Sequence, residues 1–200
     1  GNWDVPVSGA GVIEIASGKT VTLGASVTTS GGFVVGENAT LIAPYAQVSA
    51  STGAFSGGST STVKMALALD TTNVTSYQNL NSFWKFNDSD YWTGAVEISG
   101  NVGVFGLKQF GNTSSKVIVN GLSSYATSTG YSSVYDWNKV GTLEIGSGGW
   151  TINGSYSGGK IDLRAAVVGS GTITSTATGT GGCRIFFTGD MSGFEGNLAF

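Results

Sequence analysis

Three stretches with one pattern decide the fold of this chain: GVIEI at 11–15, GAVEI at 94–98 and GTLEI at 141–145. Each ends in an apolar residue, a glutamate and an isoleucine, and each is soon followed by a turn of serine and glycine. Side chains alternate between the two faces of a β-strand, so the pattern predicts strands with an apolar inner face and an outward glutamate.

The alternation predicts which residues of these strands form the core. The glutamates at the shared position, Glu14, Glu97 and Glu144, are expected to point outward and, if the strands align, to lie on one outer face. The residues predicted to be buried are Ile13, Ile15, Val96, Ile98, Leu143 and Ile145.

The spacing of the three copies predicts a stack of parallel strands. They begin at 11, 94 and 141, separations that fit about four and about two rungs of twenty-odd residues each. We therefore predict an all-β chain that folds as one elongated β-solenoid domain over 1–200, with a loop insertion around 70–93. An antiparallel β-sandwich is the alternative fold, because short strands with turn signals also specify sandwiches.

The composition supports strands and tight turns and excludes several classes of partner. Glycine occurs 33 times, proline twice, and charged residues make up only 10% of the chain. The net charge of −3 and the scattered lysines and arginines offer no basic face, so nucleic acid is not expected to bind. The apolar runs are too short to cross a bilayer, which predicts no membrane insertion by this segment.

The last part of the chain, 169–200, reads GSGTITSTATGTGGCRIFFTGDMSGFEGNLAF. A glycine-flanked TIT strand followed by the pattern GDxSGFxGxL resembles the passenger-associated strand repeats of autotransporter-like passenger proteins. The resemblance covers only about these last residues. The positions that match the second pattern are Gly189, Asp190, Ser192, Gly193, Phe194, Gly196 and Leu198.

This resemblance implies a right-handed parallel β-helix with short strands and irregular insertions, in which Gly193 and Gly196 lie at turns and Phe194 and Leu198 point inward. It also implies export, and hence a secreted or bacterial cell-surface, outer-membrane-associated structural or adhesin module. Because the end of a solenoid exposes unpaired strand edges, the last rung, near 198–200, is expected either to continue in a longer protein or to make end-to-end or homo-oligomer contacts.

The inventory of reactive residues favours a protein that is not an enzyme. The chain has no histidine and one cysteine, which excludes a Ser/His/Asp triad, an ordinary zinc site and an internal disulfide. No catalytic residue, metal or cofactor is expected, and Gly189 to Gly193 is interpreted as a turn. The alternative is a polysaccharide lyase or hydrolase, revealed by two converging carboxylates or by a carboxylate beside a lysine or arginine.

A ligand site is predicted at 83–92, FWKFNDSDYW, the densest aromatic cluster of the chain. Aromatic rings suit stacking on sugars, while carboxylates and amides bind hydroxyls, so the expected partner is a glycan or another host or cell-surface ligand. In the alternative interpretation these aromatics belong to a loop that covers a face or an end of the solenoid, and the exposure of Trp84 and Trp92 distinguishes the two. The candidate ligand-binding residues are Trp84, Lys85, Asn87, Asp88, Asp90, Tyr91 and Trp92.

Overall fold

A computed structural model describes residues 1–68, 92–101, 113–126, 140–154, 160–176 and 184–200. In chain order the elements are β1 (Asn2–Trp3), β2 (Val7–Gly9), β3 (Ile13–Ile15), β4 (Thr20–Leu23), β5 (Val27–Thr29), β6 (Phe33–Val35), β7 (Thr40–Ile42), α1 (Tyr45–Val48), β8 (Phe55–Gly57), β9 (Thr62–Ala68), β10 (Ala95–Asn101), β11 (Lys116–Ala126), β12 (Thr142–Ile145), β13 (Trp150–Gly154), β14 (Lys160–Leu163), β15 (Ala166–Gly169), β16 (Thr172–Ser175), β17 (Arg184–Phe187), β18 (Gly193–Phe194) and β19 (Asn197–Ala199). No helix in the described part of the chain is long and apolar enough to cross a membrane.

The fold is a parallel β-solenoid. Its main sheet follows the order β1-β4-β7-β9-β10-β11-β12-β15-β18, with β13, β16 and β19 continuing beside it from the second half of β11. The other faces are formed by the pair β2-β5, the triplet β3-β6-β8 and the pair β14-β17. Every strand pair among the described residues is parallel, which confirms the predicted solenoid, and the antiparallel sandwich is wrong.

The length of a rung varies along the stack. Thr20 aligns with Thr40 and Thr40 with Thr62, so these rungs contain about twenty residues. The next partner of Thr62 is Ala95, and the chain between them includes 69–91, which lies outside the described residues. The loop insertion predicted around 70–93 falls mostly on that segment. These register partners form a row on the outer face of the main sheet. After Ala95 this outward row continues with Lys116, Thr142 and Ala166.

The core has the predicted register. Ile13 is 9% exposed, and the other residues predicted to be buried, from Ile15 to Ile145, are exposed by 2% or less. Glu14 is exposed, and Glu97 and Glu144 are partly exposed, so the glutamates point outward as predicted. The alternation in the three repeats is therefore confirmed.

One expectation about these glutamates is wrong. Glu97 and Ile118 are register partners, as are Ile118 and Glu144, so the second and third copies stand two rungs apart in the main sheet. Glu14 instead lies in β3, which pairs with β6 on another face. The three glutamates do not share one outer face, because the first copy occupies the third strand of its rung and the others occupy the first strand.

Close contacts between side chains of successive rungs fill the interior. The rings of Phe33 and Phe55, which are register partners in β6 and β8, stack with centroids 4.6 Å apart and planes at 11°. The indole Nε1 of buried Trp150 donates a hydrogen bond of 2.8 Å to Ser124 Oγ. A buried polar group that finds such a partner avoids the desolvation penalty of an unpaired one.

The segment that resembles passenger repeats forms strands and a turn. The TIT residues lie in β16, and the amide of Ser192 donates to Asp190 Oδ1 at 2.8 Å, so residues 189–193 include a turn held by a side chain. Phe194 packs against the core, as the resemblance implies. Gly193 begins β18 instead of lying in a turn. Leu198 is the register partner of buried Ile173, but Leu198 itself is 43% exposed.

The close approach of backbones at one corner gives a stability prediction. A Cβ atom on Gly171 would overlap the carbonyl oxygen of Gly146 in the preceding rung, whereas a Cβ on Gly58 would meet nothing within 4 Å. Forcing extra volume into a packed site costs about 1–3 kcal/mol. We expect Gly171→Ala to lower the free energy of unfolding by this amount in urea denaturation, and Gly58→Ala to change it little. Equal stabilities of the two variants would contradict the packing at this corner.

Candidate functional site

The outward face of the main sheet brings charged side chains of neighbouring rungs together. Lys64 is the register partner of Glu97, and Glu97 is followed by Ile118 and Glu144 in the same row. These residues alternate along their strands with fully buried ones such as Val63 and Met65, so the pleat turns them outward. Side chains from separate stretches of the sequence thus become neighbours.

A chain of polar contacts crosses this face from β9 to the turn after β12. Lys64 Nζ lies 2.7 Å from Glu97 Oε2. Asn120 Nδ2 donates to Glu97 Oε1 at 2.9 Å, and Asn120 Oδ1 accepts a hydrogen bond of 2.9 Å from the amide of Gly148. Both carboxylate oxygens of Glu97 therefore have partners, and the contacts tie consecutive rungs together.

These contacts control the ionisation of Glu97. Burial alone would raise the pKa of its carboxyl group, but the hydrogen bonds from Lys64 and Asn120 and the charge of Lys64 outweigh it, and the pKa lies below its ordinary value. A lowered pKa keeps the carboxylate charged at neutral pH, whereas a general acid needs a raised one. Glu97 is suited to holding Lys64 and Asn120 in place.

A second ion pair lies beside the first. Lys116 Nζ donates to Glu144 Oε2 at 2.9 Å across neighbouring strands. The side chains of Lys116 and Glu144 are 46% and 33% exposed, so both remain accessible to a ligand. An exposed pair of this kind contributes little to stability, about 0–1 kcal/mol.

The Lys116–Glu144 pair lines an open groove of about 580 Å³, which we call the turn groove. The groove crosses the turns that precede β9, β10, β11 and β12 and the first residues of those strands. The outward register partners carry only a methyl group at Ala95, between Thr62 and Lys116, which leaves space in the groove, and Gly94 and Gly141 also line it. A Cβ atom on these glycines would overlap the carbonyl oxygens of Ser61 and Thr113, so the close approach of the backbones demands glycine there.

Serine and threonine are the commonest residues that line the turn groove. A hydroxyl can both donate and accept hydrogen bonds. Apolar atoms of Ala95 and Ile118 lie among them. The serine and threonine residues of the lining are Ser59, Thr62, Thr93, Thr113, Ser114, Thr142 and Ser115, the last of which is itself buried.

Most of the ligand site predicted at 83–92 lies outside the described residues. Trp84, Lys85, Asn87, Asp88, Asp90 and Tyr91 fall in the segment 69–91. Trp92 is described, and it is completely buried at 0% exposure. The partial exposure that the binding interpretation requires of Trp92 is therefore not found.

Trp92 belongs to the core beneath the turn groove. It forms a parallel bridge with Gly57, and its ring leaves no room for a Cβ atom on that glycine. Its carbonyl oxygen accepts a hydrogen bond of 3.2 Å from Ser115 Oγ, and Ser115 lines the groove. The indole ring also lies close to Gly94 in the wall of the groove, since a Cβ atom on that glycine would lie 3.0 Å from the ring. The ring is completely buried and is not available to a ligand.

The sequence pattern did not predict the two lysines or the threonine-lined turns. Of the charged members of the site, the repeat includes Glu97 and Glu144, and their 47-residue spacing is the available signal. Lys64 and Lys116 lie in strands without the full repeat and at unequal sequence distances from the glutamates. Only the register of the rungs shows that they are neighbours.

The carboxylates of this face do not converge. Glu97 and Glu144 are two rungs apart, a separation of about 10 Å at the strand spacing of about 4.8 Å. Carboxyl groups in glycosidases lie about 5–9.5 Å apart and act on one bond. Here Ile118 lies between them in the row, and each pairs with a lysine. The described residues also contain no cluster of three or more side chains suited to holding a metal ion.

Comparison of the chain with known proteins found no matching family model, no matching curated protein and no matching solved structure.

Proposed function

We propose that this chain is a structural, adhesin-type module of a secreted or surface-exposed bacterial protein, and that it binds glycans without transforming them. The observation that carries the proposal is the parallel stack of the main sheet, from β1 to β18, around a core filled with apolar side chains. Such a stack gives length and rigidity, which suits a surface module.

The segment 169–200 supports an autotransporter-like passenger as the more specific form of this proposal. Its TIT residues form a strand of the stack, its Asp190 forms a turn with Ser192, and its Phe194 packs on the core. These are architectural roles, as the resemblance implies. A passenger segment would be exported and displayed outside the outer membrane.

A polysaccharide-active enzyme is the second candidate, and one observation favours it. The Lys116–Glu144 pair places a carboxylate beside a lysine in a groove, which is the arrangement expected of a lyase or hydrolase on this fold. Against it, Glu97, the other carboxylate of the row, has a lowered pKa and two hydrogen-bonding partners. Binding is therefore preferred to catalysis.

Incubation of the folded chain with a panel of soluble polysaccharides tests whether the chain binds polysaccharides or cleaves them. We expect at least one polysaccharide to be retained, with no new reducing ends and no unsaturated sugar ends over a long incubation. The matched variants are Glu144→Gln, in the groove, and Glu37→Gln, at an exposed turn. Products that form with the native chain and with Glu37→Gln, but not with folded Glu144→Gln, would overturn the proposal and establish the enzyme.

Contact between modules at the ends of the stack is also part of the proposal. In the described residues β17, β18 and β19 each pair on one side only, and Leu198 and Phe200 are 43% and 80% exposed. Exposed strand edges and apolar side chains favour association with another chain. This supports contact of these edges with further strands, of which an end-to-end contact between two copies of the chain is one form.

A further inference from the structure

The shape of the turn groove restricts the ligands that fit it. Thr62, Ala95, Lys116 and Thr142 are consecutive register partners along its length, and three steps at the strand spacing give about 14 Å. The lining residues extend across four neighbouring strands, so the open groove suits an extended ligand of several small rings that lies across the strands.

A peptide strand is a poor match for the groove. Strand addition needs a free sheet edge whose amides and carbonyls are unpaired. Here β9, β10, β11 and β12 each have neighbours on both sides within the main sheet. A ligand must therefore be recognised through side chains.

The charge of the groove favours a neutral ligand. Among the described residues, its wall contains one lysine and one glutamate, and these two pair with each other. Binding of polyanions depends on several unpaired cations, which the described part of the wall does not provide. The paired ammonium and carboxylate instead offer a strong donor and a strong acceptor on adjacent rungs, and hydrogen bonds to ionised groups are the stronger kind.

We propose that the turn groove binds a neutral oligosaccharide lying along the stacking axis, anchored by Lys116 and Glu144 and contacted by the threonine hydroxyls of successive rungs. Sugar hydroxyls match a wall whose groups both donate and accept, and the Ala95 and Ile118 side chains lie against the C–H faces of the rings. This inference rests on the proposed glycan-binding function, and it assigns that binding to a place other than the aromatic cluster at 83–92.

The row of outward residues provides a matched pair of variants that tests the site. Ala95→Arg fills the groove, whereas Ala166→Arg places the same side chain in the same row outside it. The probe is a panel of neutral hexasaccharides cut from cellulose, mannan, galactan and chitin. We expect at least one to bind the native chain, Ala95→Arg to weaken that binding by at least about tenfold, and Ala166→Arg to bind as the native chain does.

A second set of variants covers the case in which Ala95→Arg does not fold. Thr62→Val and Thr142→Val remove a hydroxyl but keep the branched shape, and their combination is expected to weaken binding severalfold with little change in melting temperature. If the native chain binds a hexasaccharide and both sets of groove variants bind it as tightly as the native chain does, the assignment of the ligand to the turn groove is wrong. Glycan binding by the module then still stands. If the native chain binds none of the panel, the proposed groove ligand and neutral-glycan binding by this module both fail.

Discussion

Replacement of Trp92 with alanine is expected to lower the free energy of unfolding by about 3–5 kcal/mol, the cost of deleting a large buried aromatic side chain. Trp92 is among the largest completely buried side chains of the described residues. Its ring packs on Gly57, and its backbone lies under the turn groove. Removal of the ring leaves a cavity that the surrounding strands cannot close, because their positions are fixed by the parallel pairing. Urea denaturation followed by circular dichroism measures the loss.

Trp3→Ala is the matched control for this prediction. Trp3 lies in β1 at the first rung of the main sheet and is only partly buried, so its removal is expected to cost clearly less. A Trp92→Ala variant that keeps the native melting temperature but loses glycan retention would contradict the packing role. It would restore Trp92 to the ligand site predicted from the sequence.

Replacement of Ile98 with lysine is expected to have the largest effect of any change named here. Ile98 is completely buried, and its register partners Met65 and Val119 are buried too. An ammonium group in this interior has no partner, and burying an unpaired charge is far more costly than losing an apolar contact. We expect a loss above about 5 kcal/mol, which is enough to prevent folding of a protein of ordinary stability.

Ile118→Lys is the matched control for this prediction. It introduces the same side chain on the adjacent strand, but on the outward face instead of the inward face. Ile118 faces outward between Glu97 and Glu144, so a lysine there has carboxylates nearby and remains hydrated. We expect this variant to fold with a melting temperature close to that of the native chain. If the two lysine variants were equally stable, the assignment of inner and outer faces in β10 and β11 would be wrong.

The local alternation of the strands could be predicted from the sequence because it depends only on the pleat. The burial of Ile98 and Ile145 and the outward orientation of Glu97 follow from that rule without knowledge of the fold. The two-rung separation of Glu97 and Glu144 could also be predicted, because the chain between them forms rungs close to the average length.

The face on which each strand lies could not be predicted in the same way. Glu14 belongs to the repeat but lies on a different face, since the repeat marks a strand and its turn and not a position within the rung. The groove depends on Lys64 and Lys116 becoming neighbours of Glu97 and Glu144, and rungs of unequal length hide that proximity. Trp92 belongs in sequence to the aromatic cluster at 83–92, although it forms a bridge with Gly57 and its carbonyl oxygen accepts a hydrogen bond from Ser115.

Distances between spin labels along one outward row test the parallel stack most directly. Two doubly labelled variants are needed, one with cysteines at positions 22 and 118 and the other with cysteines at positions 22 and 168. Cys183 is replaced by serine in both. Thr22 and Ile118 are four register steps apart, and Thr22 and Val168 are six. The stack predicts separations of about 19 Å and about 29 Å between the labelled backbone positions, an increase of about 4.8 Å per step. Equal distances for the two pairs, or a shorter distance for the second pair, would contradict the solenoid and every site placed on it.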